Sequence, residues 1–111
     1  MEERRAEPRL LCSDLIEVCL EDDAVDLTAN LEDISPSGAC LQLEQAVAPG
    51  ARISLQLGRH RFTGVIRHCV HQPLGYFAGV QFDEGQKWSR RIYKPKHLLD
   101  PARLVKRRRT H

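Results

Sequence analysis

Val25-Asp26-Leu27-Thr28-Ala29-Asn30-Leu31-Glu32-Asp33-Ile34-Ser35-Pro36-Ser37-Gly38-Ala39-Cys40-Leu41-Gln42-Leu43 is the stretch that decides the architecture. Apolar side chains at 25, 27, 29 and 31 alternate with polar ones at 26, 28, 30 and 32. That is the period-two pattern of a strand with one buried face. Pro36-Ser37-Gly38 then supplies turn chemistry, and Ala39, Leu41 and Leu43 begin a second strand. Working outward, Ile16, Val18 and Leu20 alternate with Glu17, Cys19 and Glu21 before an acidic turn, Glu21-Asp22-Asp23. Downstream, Pro49-Gly50 marks a turn and Ile53, Leu55 and Leu57 a strand closed by Gly58-Arg59. Phe62, Gly64 and Ile66 open a long strand reaching towards His71. Pro73-Leu74-Gly75 turns the chain once more, and Tyr76 to Phe82 completes the series. Six short strands with short links predict a small all-β barrel or sandwich.

Past Phe82 the pattern changes. Asp83 reads as an N-cap, with Trp88, Arg91 and Ile92 at helical spacing, and Lys94-Pro95 interrupts the run. Trp88, Ile92 and Tyr93 are expected to pack this helix onto the strands rather than to bind a cofactor. Asp100-Pro101 reads as a second cap before a basic segment, Ala102 to Arg109. The organisation expected is a mobile arm over 1–9, a barrel plus C-terminal helix over 10–99, and a basic tail over 100–111.

The 111 residues suit one domain with one modest core. The formal charge of +2 hides an asymmetry. Residues 1–86 carry seven basic against fourteen acidic side chains, a balance of −7; residues 87–111 carry ten basic and one acidic, a balance of +9. An acidic body does not draw an anion in by its overall field. An anionic ligand would have to be captured by a few well-placed arginines. No apolar run approaches the ~20 residues of a membrane span, and the charged N-terminus does not look like a signal peptide. A cytoplasmic location is expected. Cys12, Cys19, Cys40 and Cys69 form no CxxC pair and read as reduced structural thiols. His68 and His71 fall on opposite faces of a strand and make no joint metal set. No phosphate loop, HExxH or nucleophile elbow appears, so no enzyme is expected.

Two polar motifs remain. Arg4-Arg5-Ala6-Glu7-Pro8-Arg9 places Arg5 and Arg9 four residues apart on the arm. Guanidinium forks match phosphate oxygens and the O6/N7 edge of guanine. Taken alone, the pair reads better as a solvated tail. Asp33-Ile34-Ser35-Pro36-Ser37-Gly38 offers a carboxylate for adjacent N–H donors, an adaptable hydroxyl and a glycine for positive φ or close backbone approach. Taken alone, it reads equally well as a turn. The arm precedes the first strand and Asp33 ends the second, so antiparallel pairing would bring the two motifs together.

In this combination the sequence resembles a PilZ domain, a bacterial receptor module for cyclic di-GMP. The arm matches RxxxR with an arginine before it, residues 33–38 match [D/N]xSxxG, and Gly79-Val80-Gln81-Phe82 matches the GVxF of the family's last strand. The likeness covers about residues 4–90. It implies a six-stranded antiparallel β-barrel followed by a C-terminal helix, and a non-enzymatic receptor that needs no cofactor. It assigns Arg5 and Arg9 to phosphate and guanine, Asp33 and Ser35 to a guanine edge, and Gly38 to keeping the approach open. Arg4, directly before RxxxR, implies binding of an intercalated cyclic di-GMP dimer. Where the family often carries an aromatic residue on the fifth strand, this chain has Arg67. That side chain either stacks on a base or faces solvent. The switch expected is ordering of the arm around the ligand, read by a protein partner. The alternatives are a nucleic-acid-binding barrel using the basic tail, disfavoured by the acidic body and scarce aromatics, or a scaffold for protein contacts alone.

Overall fold

A computed structural model describes residues 7–99. The six strands are β1 Leu10–Leu20, β2 Val25–Ser35, β3 Gly38–Leu43, β4 Arg52–Leu57, β5 His60–Gln72 and β6 Gly75–Phe82. All neighbours are antiparallel, and they close in the order β1-β2-β3-β6-β5-β4. The expected antiparallel barrel is formed.

Alternation dictates which face goes inward. Leu10, Cys12, Ile16, Val18 and Leu20 of β1 are buried, and so are Ala29 and Leu31 of β2, Leu41 and Leu43 of β3, and Ile53, Leu55 and Leu57 of β4. Phe62 and Phe82 close one region of the core with ring centroids 4.9 Å apart. β1 begins six residues before its visible alternation because Asp14 stands in an inward slot. This carboxylate is 7% exposed. It accepts a short hydrogen bond from the Tyr93 hydroxyl and another from the Lys96 N–H at 3.2 Å. A buried polar group is tolerated when its partners are in place, and here both come from beyond the last strand.

That terminal segment corrects the sequence reading. Among the described residues there is no helix, and residues 83–99 run as linked turns. Three local commitments prevent the helix from Asp83. The Asp83 carboxylate binds the Arg52 guanidinium at 2.8 and 2.6 Å and accepts from the Thr63 hydroxyl at 2.5 Å, so it does not cap. Gly85 has φ +91°, which breaks helical continuation. The Trp88 N–H donates to the Pro36 carbonyl at 2.9 Å rather than to a carbonyl one turn back. The packing expectation nevertheless holds: Trp88 is buried, and Ile92 and Tyr93 lie against the core. Leu99 pairs with Leu11 in both directions, N–H to carbonyl, at 2.8 and 2.7 Å. The second helical segment expected from Asp100 lies outside the described residues.

Candidate functional site

The β1–β2 register sets the site. Leu10 stands opposite Ile34 and Leu11 opposite Asp33. The residue just before β1 therefore lies beside the end of β2, and the Arg9 guanidinium approaches the Asp33 carboxylate at 3.6 Å. Arg9 remains 43% exposed while Asp33 is 16% exposed, so the cation reaches outward from a sheltered anion. Arg9 of the arm motif and Asp33 of the strand motif lie side by side here. Arg4 and Arg5 lie outside the described residues.

The turn between β2 and β3 completes the floor. Ser35 is buried, and its hydroxyl donates to the Gly38 carbonyl at 3.4 Å. Gly38 pairs with Gln81 across the β3–β6 seam. A Cβ on Gly38 would stand 2.5 Å from the Val80 carbonyl oxygen. The glycine is thus required by backbone approach between strands; its φ is not in the left-handed region.

β5 contributes through an irregularity. Its register shifts between Ile66, opposite Val80, and His68, opposite Gly79, so Arg67 is the extra residue of a bulge. The bulge turns Arg67 and His68 to the same side, where alternation would have separated them. Arg67 is exposed and lines the groove. His68 was missed as a site residue in the sequence because strict period-two alternation sends it away from Arg67. Its ring lies over Gly79, whose added Cβ would meet Nε2 at 2.2 Å.

A groove of about 340 Å³ is lined by Glu7, Arg9, Ser35, Gly38, Arg67, His68 and Gln81, among others; Asp33 is not one of its lining residues and adjoins it through Arg9. Glu7 had no role in the sequence reading. Here its carboxylate accepts from the Ser37 N–H at 3.1 Å and the Ser37 hydroxyl at 2.6 Å, with the Lys87 ammonium at 3.5 Å. The Ser37 bond above all, with Lys87 assisting, holds the Glu7 carboxyl below its ordinary range. Beside Asp33, the Cys40 thiol is pushed up to about 11 by burial first and by the Asp33 charge second. It stays protonated and takes no part as an anion.

A larger depression of about 650 Å³ lies on the outer face of β1–β3, between Leu15 and Leu74. Its only charged lining residues are Asp26 and Glu44. Chemistry outranks size here: that hollow repels anions, whereas the smaller groove sets two guanidinium groups around hydrogen-bonding edges. No cluster of three metal-ligating side chains occurs among the described residues. No helix among them is long and apolar enough to cross a membrane.

The PilZ domain family model matches residues 3–93. The chain belongs to the PilZ domain family. The match spans both motifs, all six strands of the PilZ barrel and most of the terminal segment that packs beneath them. Among solved structures, the PilZ chain resembles the K. pneumonia MrkH–c-di-GMP complex, with a TM-score of 0.63 and 17% identity over 78% of its own length. It spans only 47% of the MrkH chain, so the likeness is one of fold over part of a longer protein. No curated protein is similar enough to count as a relative.

Proposed function

We propose that this PilZ domain is a receptor for cyclic di-GMP and that the groove beside Arg9 and Asp33 holds the ligand. PilZ domains bind this messenger, and the MrkH neighbour is a complex with it. The observation that carries the reading is the Arg9–Asp33 approach at 3.6 Å. It joins the two motifs at one lip of a groove whose opposite wall presents Arg67.

Each side chain has a chemical task. Arg9 offers a bidentate fork to a phosphate or to the O6/N7 edge of guanine. Asp33, an acceptor only, takes the N1–H and N2–H donors of the guanine edge. Ser35 adds a small polar contact, and Gly38 leaves the floor bare. Arg67 lays its planar guanidinium against a base, in place of an aromatic ring. Arg4 and Arg5, reached through the chain before Glu7, close over the ligand from above. The arginine before RxxxR favours two intercalated ligand molecules in one site. Ordering of that arm is the switch, and the altered surface is what a partner protein reads.

Titration calorimetry of the purified chain with cyclic di-GMP tests this directly. Arg9→Ala and Asp33→Ala should each weaken binding by about 1–3 kcal/mol, the scale of a good bidentate base contact. The molar ratio at the equivalence point gives the stoichiometry, with two ligands per chain expected. Unchanged affinity in both variants would remove the site.

A further inference from the structure

We infer that Glu7 is a positioning residue: its carboxylate moors the RxxxR arm to the Ser37 turn and thereby aims Arg9 into the groove before any ligand arrives. The inference deepens the receptor reading and rests on it for its binding arm. The geometry is specific. Glu7 is the midpoint of Arg5-Ala6-Glu7-Pro8-Arg9. It accepts two hydrogen bonds from one residue, through the Ser37 N–H at 3.1 Å and hydroxyl at 2.6 Å. Charge-assisted bonds of this kind are stronger than neutral ones. A second partner, Lys87 at 3.5 Å, comes from the segment beyond β6. Its neighbour Trp88 is buried and holds the Pro36 carbonyl. The turn at 36–37 is therefore tied on both sides, which makes it a firm post.

Pro8 transmits the anchorage. Proline fixes its own φ and restricts the residue before it. With Glu7 moored and Pro8 stiff, the direction of Arg9 is set, and the Arg9 side chain is found 3.6 Å from Asp33. Fixing a rotamer-rich arginine beforehand removes part of the ordering cost of binding. Glu7 to Arg9 thus form a preset lead-in to β1.

The test combines two readouts on the full chain. In the ligand-free protein, the ¹H–¹⁵N heteronuclear NOE of the Arg9 amide should be strand-like, and Glu7→Ala should lower it to the level of a loose terminus. By calorimetry, Glu7→Ala should raise the Kd for cyclic di-GMP roughly three- to tenfold. Glu7→Gln should recover part of both effects, because its side-chain carbonyl still accepts from Ser37 while losing the charge that holds Lys87. Glu7 lies outside the core, so the unfolding midpoint should stay put and fold loss does not confuse the result. An Arg9 amide equally rigid in Glu7→Ala, or a Kd that is unchanged or tighter, would overturn the anchor. If the wild-type chain takes up no cyclic di-GMP but Arg9 still loosens in Glu7→Ala, the anchor stands and the receptor reading falls.

Discussion

At the scale of single residues, two glycines near the groove look alike in sequence and differ in what they tolerate. A Cβ at Gly38 meets a backbone oxygen at 2.5 Å, which yields only if strands β3 and β6 shift. Gly38→Ala should therefore lower stability by about 1–3 kcal/mol in urea unfolding, the usual penalty of overpacking. A Cβ at Gly79 meets the far end of the His68 ring, and His68 is exposed and free to swing. Gly79→Ala should change stability by no more than about 0.5 kcal/mol, while displacing His68 from the groove wall. The sequence revealed Asp33, Ser35 and Gly38 as a motif because their spacing is itself the signal. It concealed Glu7 and His68 for separate reasons. Glu7 acts through a bond to a residue thirty positions away, and His68 reaches the groove only through a bulge that alternation cannot encode.

At the scale of elements, the strands were legible because burial follows the same two-residue period as the sequence. The segment after β6 was not, since its conformation is set by contacts with the barrel. Trp88, Ile92 and Tyr93 satisfy a helical spacing, yet the Trp88 and Asp83 N–H groups go to the Pro36 and Thr63 carbonyls, and the Asp83 and Gln86 side chains to Arg52 and Thr63. Local propensity is a weak prior against such partners. The Tyr93–Asp14 bond is the sharpest of them, pinning the terminal segment to an inward carboxylate of β1. Tyr93→Phe should cost about 1–3 kcal/mol by leaving part of that buried acceptor unsatisfied. Thermal unfolding of the variant measures it, and a loss no larger than that of an exposed substitution would show that the contact is dispensable.

At the scale of the whole molecule, two groups bound the pH range of the fold from opposite sides. Arg52 first, and Thr63 second, hold the Asp83 carboxyl at about 2 against an ordinary 3.8. Its contribution is complete above 3.8 and fades as pH falls towards 2. Burial first, and Asp14 second, push the Tyr93 phenol to about 12 from 10. Its contribution is complete below 10 and fades as pH rises to 12. The melting temperature should fall at both limits, and Asp83→Asn should flatten the acid limb alone. A pH profile of that variant superimposable on the wild type would refute the assignment.

The order in which the six strands meet has a kinetic consequence. β3 lies against β6, with position 38 facing 81, and β1 lies against β4, with 17 facing 56. Such distant pairings close long loops, and chains rich in them fold in milliseconds to seconds rather than microseconds. The candidate groove straddles the β3–β6 seam, so it comes into being only when these two distant strands have paired. A nascent chain that lacks this pairing carries both motifs in its sequence but has no groove between them. A ligand seated in that groove would bind only chains in which the seam has formed, and would draw the population towards them by mass action.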